Sequence, residues 1–474
     1  MKMLLVALLL VSTTQTHAED SALQAVLSQK GLQKVTHWLT DWLQSELDNI
    51  TLPEVKGSVH IIFGSVDYVL YNMSIQRCDL PEPSIAFSEG TGISLQVSGL
   101  SIAITGLWKT HYGLIKDGGW FELVMFTVSL NTVLQLGRED KRLSISTAVC
   151  SADVESAQVN FHGGGSFIFQ PFVKMFNKRI RNKIRAKICQ TFEKEIEALE
   201  SHLAAVSVAM KVDPYVYLNI SLTDSPLVND SGLGLNVKGE FYSNNFPSEP
   251  PFSPKHFEVP WREDYMVSLG ASEFFVNSAA YAYQSAGALQ IRITDDMIPK
   301  ASPFHLNTSQ FGQLIPQLPK KYPDLPMQLL LYASEAPLFS FNKTVINVNV
   351  SASAKAYAMK ADSVAIPLFR LDVESSFSGK AYIDKYLLKG VLEMKNLTVT
   401  LGATEIGCFP VGPIKQALKL TMSSFVLPKL NAQLKDGLPL PRVKGFGLRN
   451  SVMTIENGFL ALATDISAPY DSWQ

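Results

Sequence analysis

Charge is scarce in this sequence. Only 18% of its 474 residues are Asp, Glu, Lys or Arg, and the formal net charge is −2. A chain with no cationic excess is a poor nucleic-acid binder, because neutralising phosphates needs clustered Lys and Arg. It is also no wholly cationic membrane disruptor. Cysteine is scarcer still, at four residues: Cys78, Cys150, Cys189 and Cys408. Four are too few for a disulfide scaffold in a chain this long, and their spacing matches no zinc pattern. After the N-terminus no uninterrupted apolar run reaches the roughly 18 residues that a membrane helix needs. Catalytic motifs are missing too. There is no G-x-S-x-G; the nearest match, Tyr283–Gly287 (YQSAG), lacks the first glycine. His162–Gly165 (HGGG) resembles the oxyanion loop of some lipases. With no nucleophile motif and a helix directly after it, it reads as a strand-to-helix turn. No P-loop, G-x-G-x-x-G or H-E-x-x-H occurs, and the eight histidines are scattered. These absences argue against an enzyme, a secreted esterase included, and predict no metal.

The N-terminus is informative. Lys2 is followed by the apolar run Met3–Val11 and then by Thr16, His17 and Ala18. A charged start, a short apolar core and small residues at the cut predict a secretory signal peptide over residues 1–18. The mature protein is then expected to be secreted and extracellular. Eight sequons agree with a glycosylated surface: Asn49, Asn72, Asn219, Asn229, Asn307, Asn342, Asn349 and Asn396 each precede x-Ser/Thr. An oxidising compartment would permit disulfides.

A chain of 474 residues exceeds what one core supports, so two or three domains are expected. Near its middle, Gly239–Trp261 holds Pro247, Pro250, Pro251, Pro254 and Pro260. Proline fixes φ and removes a donor, so this stretch is neither helix nor central strand but an extended connector. The expected division is 19–238, an N-terminal barrel domain; 239–261, the connector; and 262–474, a C-terminal barrel domain. On each side the text runs in one order: amphipathic helix, strands, second amphipathic helix.

The spacing of Leu23, Val26, Leu27, Val35, Trp38, Leu39, Trp42 and Leu43 predicts a helix over Ser21–Asp48. Period-two text then predicts strands over Val59–Ile75, Gly92–Thr105, Phe121–Leu136 and Arg142–Phe161, with a phase slip at Gly99 that reads as a bulge. Ser166–Val206 is the strongest helix. Its Phe172, Phe176, Ile180, Ile184, Ile188, Phe192 and Ile196 recur every four residues, so the stripe winds round the helix as a contact with a twisted sheet requires. Cations (Lys174, Lys178, Arg179, Arg181, Lys183, Arg185, Lys187) precede anions (Glu193, Glu195, Glu197, Glu200) along it. That order opposes the macrodipole preference. It reads either as a patch for anionic lipid or as a solvated face. After the connector, strands are expected over Tyr265–Tyr283, Ala288–Ile293, Asn342–Ala358 and Tyr386–Leu401. A weak helix is expected over Thr308–Tyr322, interrupted by Pro316 and Pro319. A second long helix is expected over Gly412–Lys435, its stripe being Ile414, Leu418, Met422, Val426 and Leu430.

Four segments carry a resemblance: Gln29–Leu32 (QKGL), Lys238–Ser243 (KGEFYS), Asp295–Lys300 (DDMIPK) and Gly437–Pro441 (GLPLP). In this order they resemble the family of bactericidal/permeability-increasing protein and lipopolysaccharide-binding protein, across essentially the whole mature chain. The resemblance implies an α+β fold: a boomerang of two antiparallel barrels joined by a central sheet. In each barrel a long helix shuts an apolar tunnel that holds a phospholipid; no other cofactor is implied. It also implies one disulfide, matched here by Cys150 and Cys189. Cys78 and Cys408 fall where those relatives carry other residues.

The family's lipopolysaccharide-contacting tip is a basic hairpin, matched here by Gly106–Phe121 (GLWKTHYGLIKDGGWF). Trp108, Lys109 and Lys116 are kept. Leu107, Tyr112 and Gly113 stand where the relatives usually carry cations. Trp108, Tyr112, Leu114, Ile115 and Trp120 would suit partial insertion at a membrane interface, or simply a barrel end with buried aromatics. The expected tip residues are therefore Trp108, Lys109, Tyr112, Lys116 and Trp120. The expected partners are lipopolysaccharide through its lipid A, phospholipid and the bacterial outer membrane surface, bound by a monomer of innate defence. The alternative is a lipid-transfer protein of the same fold without lipopolysaccharide selectivity.

Overall fold

The computed structural model describes residues 21–467 except 35, 37–39, 41–50, 53, 62–63, 165–172, 246–247, 299–304, 362–363 and 440–446. The signal segment and Asn49 lie outside the described residues.

The first element corrects the first expectation. Leu23–Ser28 is a strand, β1, and helix begins only at residue 29. Three apolar residues are too few to set a period: as a strand, Leu23 and Leu27 share one face and Val26 takes the other. Pairing with strands on both sides decides it, because that saturates the backbone.

β2 (Thr51–Leu52), β3 (Val55–Ile61), β4 (Gly64–Asp79), β5 (Ser84–Ser88), β6 (Gly92–Tyr112), β7 (Ile115–Glu139) and β8 (Arg142–His162) form one antiparallel sheet. Its order is β2-β4-β6-β7-β8, with β3 on β4 and β5 on β6. The expected Val59–Ile75 run is thus two strands of a hairpin. Gly99 has φ +83°, and the register slips between Val97 and Leu100, which is the bulge the phase slip predicts. Thr127 (φ 52°) and Asn72 (φ 52°) mark further irregularities. Bulges bend and twist strands, and these curl the long ribbons. The concave side holds Tyr68, Leu70, Ile104, Phe121, Leu123, Met125, Val154 and Val159. Long helix α1 (Val173–Ala204) lies along β8. Ile188 of the predicted stripe packs on this core, and Phe192 and Ile196 are half-buried beyond it. Three short strands follow, β9 (Ala209–Lys211), β10 (Val216–Asn219) and β11 (Leu227–Asn229), then β12 (Gly232–Val237) and β13 (Glu240–Ser243).

The expected connector 239–261 is corrected at its start, where Glu240–Ser243 is the edge strand β13 paired with β10; from 248 to 261 it is extended, with neither helix nor strand. It does not hang free. The Gln24 amide donates to Phe257 O at 2.7 Å and accepts from Val259 N at 3.0 Å. Phe257 and Val259 are buried, worth roughly 1.5–3 kcal/mol each.

The second half opens with β14 (Val267–Ser272) and then α2 (Glu273–Ser285). The expected strand Tyr265–Tyr283 is therefore corrected: it turns helical at Glu273. Phe274, Asn277, Ser278 and Ala282 are its buried residues, spaced for one helix face. Aromatic content favoured a strand locally, and packing overrode it. β15 (Gln290–Ile293), α3 (Thr308–Phe311) and α4 (Gln317–Lys321) follow; the last two are separated near Pro316 as expected, but Pro319, also expected to interrupt, lies inside α4. β16 (Met327–Ala333), β17 (Leu338–Asn342), β18 (Val345–Met359), β19 (Ala365–Asp384) and β20 (Leu387–Thr404) build a second antiparallel sheet with β15.

The second long helix comprises α5 (Gly412–Thr421), a π turn (Met422–Val426) and α6 (Leu427–Asp436). Pro428 explains the π turn, since it has no N–H and its ring crowds the carbonyl four residues back. The extra residue shifts the stripe by one. Leu427 is buried while Leu430, expected inside, is exposed. β21 (Leu438–Pro439), β22 (Gly447–Ile455) and β23 (Phe459–Ser467) complete the chain.

A central six-stranded sheet, ordered β11-β12-β1-β14-β23-β22, draws strands from both halves. β1 and β14 pair antiparallel at its middle, each preceding a helix and a curled sheet. Each is flanked by the hairpin that follows its own half's long helix. The repeat of element order is thus a two-fold arrangement about the β1–β14 pair.

Candidate functional site

The expected tip is the closed end of the β6–β7 hairpin. Tyr112 pairs with Ile115, so Gly113 and Leu114 form a two-residue turn. Gly113 has φ +55° at the first central position, where a side chain is disfavoured. Leu114 is fully exposed.

Alternation sorts the flanking side chains onto two faces. Trp108 belongs to the inner face and is 2% exposed. Its Nε1 donates to Trp120 O at 3.1 Å and to His162 O at 3.2 Å, and its ring meets Phe161 edge-on. It is a core residue, not an inserting one. Asp117, opposite Thr110, shares that face and accepts from Gly118 N at 2.8 Å.

The outer face carries Lys109, His111, Lys116 and Trp120. His111 lies opposite Lys116, and Lys109 is one pair further from the turn. Lys109 Nζ sits 4.5 Å over the Tyr71 ring, a cation–π contact that leaves the charge at the surface. Lys116 is exposed, and among the described residues no acid pairs with it. Asp67 on β4, opposite His111, and Glu122, two residues beyond Trp120, are acids on the same face. Trp120 is 44% exposed and stacks on His162, which lies 3.7 Å from the Glu122 carboxylate. Tyr112 is half-buried beside Gly64. Sequence spacing does not reveal His162 as a neighbour of Trp120; only the β7–β8 register brings them together.

The basic half of α1 is partly spent on structure. Arg181 donates to Glu155 O and Arg185 to Ala152 O, each at 2.9 Å, and Arg185 lies 3.5 Å from Asp153. Lys178 and Lys187 are exposed. Cys150 on β8 and Cys189 on α1 form a disulfide across 39 residues, clamping helix to sheet. Cys78 is buried, and Cys408 is an exposed free thiol. Of the described sequons, Asn72, Asn342, Asn349 and Asn396 are exposed, while Asn219, Asn229 and Asn307 are half-buried. Asn307 also caps α3, accepting from Gln310 N at 2.7 Å.

Partly buried apolar side chains pack against the core of each half, among them residues of the long helices. They include Ile75, Leu100, Ile102 and Ile188 in the first half. In the second they include Ala354, Val373, Met394, Leu401 and Leu418. Among the described residues no helix is long and apolar enough to cross a membrane, and no His/Cys/Asp/Glu group is arranged to hold a metal.

Comparison with known proteins agrees with this architecture. A bactericidal permeability-increasing protein of Sebastes schlegelii is 33% identical over 443 residues, 93% of this chain and 94% of that one. A lipopolysaccharide-binding protein of Homo sapiens is 28% identical, covering 98% of this chain and 97% of its own. A crystal structure of lipopolysaccharide binding protein superposes with a TM-score of 0.57 at 26% identity, over 95% of this chain and 100% of that chain. Residues 31–200 match the model of the N-terminal domain and residues 210–468 the model of the C-terminal domain of the LBP / BPI / CETP family, so the chain belongs to that family.

Proposed function

We propose that this protein is a secreted, non-enzymatic lipid-binding protein of innate defence that binds the lipid A part of Gram-negative lipopolysaccharide. The observation that carries the reading is the outer face of the β6–β7 hairpin end. Lys109 and Lys116 stand there beside exposed Trp120 and Leu114, with Asp117 turned to the other face. Phosphates would meet the two lysines, and acyl chains the apolar side chains at the turn. The names of the relatives support this ligand class. The reading includes a monomer and a phospholipid in each half, in barrel domains 19–238 and 262–474, for which the half-buried apolar groups on each core would supply surface. The test is lipopolysaccharide binding in competition with phosphatidylcholine vesicles. Retention of lipopolysaccharide against excess vesicles is expected. Equal partition would favour the second reading, a lipid-transfer protein without that selectivity, which the few cations at the tip also suit.

A further inference from the structure

The second long helix carries charge of nearly one sign. Between Gly412 and Asp436 stand Lys415, Lys419, Lys429 and Lys435, and the one acid is Asp436 at the last position: four cations against one anion, a net of +3. All four lysines are exposed, and among the described residues none has an ion-pair partner. Three of the four acids of the adjacent β19–β20 hairpin are engaged, Asp372 with Arg370 at 3.1 Å among them; the fourth, Glu374, is exposed. Asp384 lies 2.7 Å from Lys389, and Glu393 lies 2.8 Å from Lys395. The counter-charge of these three is therefore not available to the helix.

The same helix also exposes large apolar groups. Ile414 and Leu427 are buried against the sheet, and Leu418, Met422 and Val426 are half-buried beside them. On the other side Leu420 is 64% and Phe425 70% exposed. Such side chains make no use of water, and the sheet does not need them. The first long helix differs. Its described side chains include one exposed large apolar residue, Leu199, and four glutamates offset its cations.

We propose that the outward face of α5–α6 docks flat on an anionic phospholipid bilayer. Leu420 and Phe425 would enter the boundary between headgroups and acyl chains, while Lys415, Lys419 and Lys429 meet the headgroup phosphates. This is how an interfacial amphipathic helix divides its side chains. The helix spans about 35 Å, enough to touch several headgroups at once. The surface lies in the second half and does not depend on the hairpin reading.

Full-length protein is sedimented with vesicles of equal parts phosphatidylglycerol and phosphatidylcholine, and with phosphatidylcholine alone. Binding to the anionic vesicles is expected, weakened by salt. Lys419→Gln with Lys429→Gln should weaken it roughly tenfold to thirtyfold, and Leu420→Ser with Phe425→Ser should weaken it as well. These positions are exposed, so melting temperatures should hold. A measurement on the unaltered protein runs beside them: amide hydrogen exchange over Lys419–Leu430 should slow when anionic vesicles are added. It should slow equally in a Lys109→Gln, Lys116→Gln protein, which separates this surface from the hairpin. Unchanged exchange there, or wild-type binding by both double variants, would overturn the proposal. Equal protection by phosphatidylcholine alone would overturn the anionic assignment.

Discussion

The Trp120 indole stacks on the His162 imidazole, with ring centroids 3.9 Å apart and planes 13° from parallel. One strand pair away, Trp108 is sealed inside. The two tryptophans of the tip should therefore respond differently to removal. Trp108→Ala opens a cavity among Phe121 and Phe161 and should lower unfolding free energy by about 3–5 kcal/mol. Trp120→Ala forfeits an aromatic pair at the surface, about 0.5–1.5 kcal/mol, yet it should lower lipopolysaccharide affinity. Denaturant melts and lipopolysaccharide titrations of both variants check this. Equal stability losses would contradict the assigned faces.

Lys109 and Lys116 are the two lysines of the hairpin end. Replacing both with Gln should weaken lipopolysaccharide binding about tenfold to thirtyfold, at roughly 1 kcal/mol per lysine near an anionic surface. Added salt should weaken wild type more than the variant. Titration at two ionic strengths decides it.

The Cys150–Cys189 bridge closes a loop of 39 residues between β8 and α1. Replacing both with Ala should lower stability by about 2–4 kcal/mol. Mapping of unreduced peptides should recover the pair as one linked fragment. Two free thiols in the native protein would contradict it.

Tyr283 on α2 donates its hydroxyl to Asp213 Oδ2 at 2.6 Å. This bond raises the Tyr283 pKa to about 12 and holds the Asp213 carboxyl below its ordinary value. The raised phenol stabilises the fold fully below its unfolded pKa near 10, and that contribution is lost as pH rises through about 12. The depressed carboxyl contributes above its unfolded pKa near 4, and that contribution is lost as pH falls through the lower folded value. The pair should therefore be at full strength between about pH 4 and pH 10. Ultraviolet titration of wild type against Tyr283→Phe should remove one phenol ionising near 12. Loss of a phenol ionising near 10 instead would refute the pairing.

Asn431 on α6 binds Leu392 of β20 twice, accepting from its N at 2.8 Å and donating to its O at 2.9 Å. Asn431→Ala should leave both backbone groups without that partner and lower stability by about 1–3 kcal/mol. An unchanged melting curve would show that water replaces the amide without loss.

Much of this architecture was legible in the residues. The period-two runs fold as β6, β7 and β8, the Gly99 slip is a bulge, and the stripe of α1 meets the sheet at Ile188. These are local properties: periodicity, turn chemistry and proline act within a few residues, so a single sequence carries them. Tertiary structure decided the rest. Leu23–Ser28 is a strand because two partners bracket it, and Glu273–Ser285 is a helix because Asn277 and Ser278 find partners inside. Trp108 and Trp120 look alike in the text, and pleat and register send one inward and the other out. Burial depends on residues hundreds of positions away, and no local pattern can set it.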